Sequence, residues 1–108
     1  MRVGNLFSDA ASPLEGERFD TLLRHRNLVV ERIISSASIA AQEYVQTQDE
    51  WVVLIQGEAV LEVAGEPTSL KSGDYLFLPA GVPHTVLRTS PGALWLAVHL
   101  HSEVAPAS

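Results

Sequence analysis

The sequence predicts an all-β domain, a sandwich or barrel of short antiparallel strands. From Asn27 onward, runs of β-branched and aromatic residues are broken by turn residues at short intervals, the pattern of many short strands joined tightly. The breaks at 56–58, 64–67, 71–74, 79–83 and 89–92 each hold Gly or Pro, which supply the φ values that tight turns require. At 108 residues, the chain has material for one core and not for two.

The elements follow in order. Residues 1–26 are mixed, with Ser12-Pro13, Gly16 and a stretch from Glu17 to Leu23 that reads as a helical turn or an irregular strand. This segment is expected to be an arm packing on the barrel. Arg18, Arg24, His25 and Arg26 in its later part read as a solvated turn. The barrel is expected over 27–104, with strands at Leu28 to Ser35, Ala40 to Gln46, Trp51 to Ile55, Ala59 to Ala64, Thr68 to Leu70, Tyr75 to Leu78, His84 to Arg88 and Leu94 to His101. Ala105-Pro106-Ala107-Ser108 is expected to be a frayed tail.

Two strands demand cover on both faces. Trp51-Val52-Val53-Leu54-Ile55 shows no polar alternation, and neither does the run from Leu94 to Val98. One face belongs to the interior; the other needs the arm or a second subunit, so the sequence predicts a homodimer.

Composition narrows the function. An apolar content of 46% with 19% charged residues suits a packed globular protein. Seven scattered Lys and Arg in a chain of net charge −6 offer no basic stripe, which argues against nucleic acid as a partner. The absence of cysteine removes disulfides and thiolate metal sites and permits a reducing compartment. The first residues lack the apolar run of a signal peptide, and no stretch approaches the roughly 18 apolar residues of a membrane span. A cytoplasmic protein with a small-molecule ligand and no membrane partner is expected.

The most specific pattern begins at Gly73: five residues, Pro79, one residue, Gly81, two residues, His84. Upstream, Glu50 is followed by six residues and Gly57. These segments resemble, respectively, the second motif and the latter half of the first motif of the cupin family. The wider strand pattern, from about Leu28 to His101, is also similar to a small single-domain cupin. The resemblance implies a jelly-roll barrel, or double-stranded β-helix, with a small-molecule site at its mouth that binds a divalent metal in many members: Mn, Fe, Zn or Ni.

The residues support a site on their own chemistry. Pro79 and Gly81 set a stiff corner that fixes His84 at a strand start. Glu50 shares a strand face with Val52 and Leu54 by period two, so its carboxylate needs a partner: a bound ligand, an ion pair, or water at the rim.

The resemblance fails where the family places His-x-His. Those positions are Tyr44 and Gln46 here, and both offer oxygens that bind transition metals more weakly than neutral imidazole does. The metal set is therefore expected to be Gln46, Glu50, His84 and His99, with His99 supplying a missing imidazole from the final strand. His101, near the chain end, reads as exposed. Arg88 lies four residues after His84, on the same face of a regular strand, where it would pair with Glu50, clasp an anionic ligand, or stand in water at the rim. Tyr75 and Phe77 share one face as cover, with ligand stacking by Tyr75 as the alternative.

Three functions fit these residues. A metal-dependent enzyme, an isomerase or dioxygenase of the cupin type, would use the metal set for Lewis-acid or oxygen chemistry. A metal-free binding module would hold a small polar or anionic ligand through Arg88, Gln46 and His84, with Tyr75 as an added contact. A metal-free epimerase would pass protons between His84 and Glu50 or Tyr44.

Overall fold

The computed structural model describes residues 1–102. The expected tail at Ala105–Ser108 lies outside the described residues, as does the predicted barrel boundary at residue 104. Nine strands form in chain order: β1 Glu17–His25, β2 Leu28–Ser35, β3 Glu43–Tyr44, β4 Asp49–Gln56, β5 Glu58–Val63, β6 Glu66–Lys71, β7 Tyr75–Leu78, β8 His84–Thr89 and β9 Ala93–Leu100. Among the described residues, no helix is long and apolar enough to cross a membrane.

Every strand pair is antiparallel. A five-stranded sheet runs β1-β2-β9-β4-β7 and a four-stranded sheet runs β3-β8-β5-β6. The chain crosses repeatedly between the layers, giving the all-β jelly roll that the resemblance implies. The stretch left open from Glu17 resolves as β1, with a register shift between Thr21 and Leu23. The strand expected over Ala40 to Gln46 shrinks to two residues, and the chain on either side is irregular.

Alternation places the core between the layers. Ile33, Val52, Leu54, Ala59, Leu61, Leu78, Trp95 and Ala97 cluster there. On the opposite face of β2, Arg32 is buried and holds the N-terminal segment in place. Its guanidinium donates to the carbonyls of Leu6 at 2.9 Å, Ser8 at 2.6 Å and Asp9 at 3.1 Å, and pairs with Asp20 at 2.8 Å. The Asp20 carboxyl is held below its ordinary range chiefly by that contact.

The rest of the outer face of this sheet is apolar and open. Trp51, Tyr75, Phe77 and Leu100 are exposed there, and the Trp51 and Tyr75 rings lie 5.5 Å apart. The cover expected for β4 and β9 thus reaches only the end near β2 within one chain.

Two glycines fix the turns that matter. Gly57, at φ +103° between β4 and β5, lies so close to β9 that an added Cβ would stand 2.6 Å from Ser90 Oγ and 3.1 Å from Ala93 Cα. Gly81, at φ +82° in the Pro79-Ala80-Gly81 corner, donates its N–H to the Gln46 carbonyl at 2.8 Å. The adjacent Ala80 N–H donates to Asp49 Oδ1 at 2.9 Å. The corner between β7 and β8 is thereby docked onto the link between β3 and β4.

Candidate functional site

That docking brings the two sequence segments to one place. A cavity of about 130 Å³ opens between the sheets, and Tyr44, Gln46, Glu50, His84 and His99 all line it. Glu50 and His84 are only 6% and 8% exposed, so both polar side chains lie inside the fold and on the same void. Val52, Leu61, Leu78, Val86 and Trp95 form its apolar walls.

Glu50 stands on β4 directly opposite His99 of β9. Its carboxylate makes no hydrogen bond among the described residues; its ion-pairing partner among them is His99 Nδ1, 3.8 Å away. His84 begins β8 opposite Tyr44 of β3, and the two rings stack with centroids 6.0 Å apart. Nδ1 of His84 lies 3.5 Å from the Val82 carbonyl, a long contact that leaves the ring's hydrogen-bonding capacity largely unspent. Tyr44 is partly exposed and sits at the mouth; Gln46 is half-buried beside it.

His99 faces inward and is strongly held. Its Nε2 lies 2.8 Å from Glu31 Oε1, and its Nδ1 lies 3.2 Å from the Gln48 amide nitrogen. The hydrogen bond to Glu31 raises its pKa; burial opposes the rise, and the nearby Glu50 charge adds to it. In the neutral ring, Nε2–H donates to Glu31 and Nδ1 accepts from Gln48. In the imidazolium, the Nδ1 proton adds favourable charge on the side of Glu50.

Two lining carboxylates were not singled out in the sequence. Glu31 shares the inward face of β2 with Ile33, and period two alone identifies it. Glu17 enters from β1, the strand that the sequence left unassigned. Burial raises the Glu17 pKa, while a hydrogen bond from Ser35 Oγ at 2.6 Å opposes the rise. Ser35 Oγ in turn accepts from Trp95 Nε1 at 3.0 Å.

Arg88 and Tyr75 lie outside this cavity. A register shift between Val60 and Leu61 leaves Leu87 as an extra residue in β8, which reverses the alternation beyond it. His84 and Val86 face inward, while Arg88 is exposed in an outer groove with Lys71 and Asp74. Arg88 therefore neither pairs with Glu50 nor reaches a ligand there. Tyr75 is on the outer face beside Trp51. His101 is exposed, as expected.

The expected metal set of Gln46, Glu50, His84 and His99 shares the cavity but does not form a cage. Among the described residues, no three His, Cys, Asp or Glu side chains converge so as to hold an ion. His99 already spends both ring nitrogens on Glu31 and Gln48.

The family model described as "Cupin domain" matches residues 33–102. A crystal structure from Ralstonia eutropha JMP134, which bears the provisional name mannose-6-phosphate isomerase, is 38% identical over 94% of this chain and 100% of its own, with a TM-score of 0.85. The protein TT1209 from Thermus thermophilus is 25% identical over 94% of this chain and 98% of its own, with a TM-score of 0.81. An RmlC-like cupin from Shewanella frigidimarina NCIMB 400, at 18% identity over 81% and 78% of the two chains and a TM-score of 0.73, shares the fold. No curated protein matches the chain.

Proposed function

The chain belongs to the cupin family, and from that premise we propose that it is a metal-free binding module, holding a small polar ligand in the cavity between its sheets. The observation that carries this reading is the pair Glu50 and His84: both are buried, both line one void, and neither has its hydrogen-bonding capacity met by the described residues. Among the described residues no buried side-chain polar atom lacks a partner, so the spare capacity of Glu50 and His84 is open to the void, where a ligand can take it up. Glu50, His84, Gln46 and Tyr44 are the contacts assigned to it. The provisional name of the Ralstonia relative suggests sugar-phosphate isomerisation. The lack of three converging metal ligands among the described residues favours binding over metal-assisted chemistry.

The test is elemental analysis of untagged protein after exposure to manganese, iron, zinc and nickel, alongside a ligand screen by thermal shift. Background metal together with hits weakened by Glu50→Gln and His84→Ala supports the module. Stoichiometric metal that disappears in His84→Ala refutes it.

The assembly assigned to the chain is a homodimer. Trp51, Tyr75, Phe77 and Leu100 are exposed on the outer sheet face, where Trp51 is flanked across the strands by Phe77 and Val98. A contiguous apolar surface of this kind suits a second copy pairing through the same patch.

A further inference from the structure

The charges around the cavity select one class of occupant. Glu17, Glu31 and Glu50 contribute carboxylates to its lining, while no lysine or arginine among the described residues does. Glu31 is matched by His99 at 2.8 Å and Glu17 accepts from Ser35 at 2.6 Å. Glu50, 6% exposed, has no hydrogen-bond partner among the described residues and meets only His99 Nδ1 at 3.8 Å. Among the described residues no buried side-chain polar atom lacks a partner, so the unbonded Glu50 oxygens are reached from the cavity, where an incoming ammonium can make charge-assisted hydrogen bonds to them.

Of groups able to carry positive charge, an anion would meet only His84 and His99, and His99 is already engaged by Glu31 and Gln48. Arg32 is committed to Asp20 and the N-terminal segment, and Arg88 faces the opposite side of its sheet. A phosphate would add negative charge to three carboxylates with no guanidinium or ammonium to accept it. Phe19, Tyr44 and Trp95 also line the void, and a ring that turns its face to an occupant attracts positive charge.

Resting on the reading of this cavity as a ligand site, we infer that its occupant is a small organic cation, a protonated amine whose ammonium group binds the Glu50 carboxylate within the aromatic lining. The volume of the cavity sets the size of the buried portion. A cavity of about 150 Å³ accommodates benzene, so the void here takes a buried portion of about five or six non-hydrogen atoms.

The experiment is an amide-resonance NMR titration of the full chain at neutral pH with n-butylammonium, n-butanol, butyrate and glucose 6-phosphate. Butylammonium shifts the resonances of Glu50, His84 and His99 saturably and binds about tenfold more tightly than butanol, whereas butyrate and the sugar phosphate leave them unmoved. Glu50→Gln weakens butylammonium about tenfold and butanol much less, so that the preference for the amine over the alcohol is lost. Glu17→Gln provides a second charge deletion if Glu50→Gln does not fold. Butanol binding as tightly as butylammonium, or either anion binding in the cavity, overturns the cationic ligand while leaving the binding site intact. No shift from any of the four probes overturns both the cation and the cavity as a site.

Discussion

His99 Nε2 and Glu31 Oε1 lie 2.8 Å apart across the pairing of β2 with β9, close to the Val29–His99 register pair. Because this contact holds the His99 pKa above its ordinary 6.5, its stabilisation is complete below pH 6.5 and is lost as the pH rises through the raised folded value. Glu17 acts in the same direction: its pKa lies above 4.5, so its ionisation costs the fold stability as the pH rises from there. Asp20 acts oppositely, contributing stability above pH 3.8 that is lost as the pH falls through its lowered value. Calorimetry across the pH range should show a melting temperature highest in mild acid and declining above pH 6.5. Glu31→Gln flattens the decline associated with His99, and an unchanged profile in that variant would refute the assignment.

Gly57→Ala should destabilise the fold by about 1–3 kcal/mol, since the new methyl group meets both a disfavoured φ and Ser90. Chemical denaturation measures this directly. A variant as stable as the parent would show that β9 yields easily at this turn.

Arg32→Ala should cost about 2–4 kcal/mol by leaving Asp20 Oδ2 and three carbonyls without their donor, although Asp20 Oδ1 keeps Arg18. Hydrogen exchange should rise through residues 5–9 while the β5–β8 pairing stays protected. Unchanged exchange in that segment would mean that it is held by other contacts.

Arg88→Ala should leave cavity binding unaltered, because the bulge in β8 turns its side chain outward. A loss of affinity for the titration probes matching that of Glu50→Gln would contradict this placement.

Phe77→Glu combined with Tyr75→Glu should convert a dimer to a monomer in light scattering coupled to size exclusion, since both residues stand on the apolar outer face. A parent protein that elutes as a monomer at every concentration would refute the assembly.

Much of the architecture was legible because glycine and proline mark turns through backbone sterics that no tertiary contact overrides. Gly73, Pro79, Gly81 and His84 identify the corner, and β7 spans Tyr75–Leu78 as read. Glu50 was also legible, as a carboxylate on an apolar strand face. Arg88 was misplaced because one extra residue, Leu87, reverses the alternation, and bulges leave little local signature. The four proposed metal ligands do share a cavity, but their commitments to one another depend on pairings across distant strands. Glu31 was within reach of period-two reasoning. Glu17 was not, since β1 acquires its strand character only by pairing with β2.

The pairing of β2 with β9 has a kinetic consequence. Leu28 meets Leu100 and Ser35 meets Ala93, so the central seam of the larger sheet joins segments far apart along the chain. Closing so large a loop gives up considerable chain entropy before any contact compensates it, which places folding in the millisecond-to-second regime of topologically complex β proteins. Until β9 docks, β2 and β4 lack their shared neighbour, and their apolar edges stay available for off-pathway association.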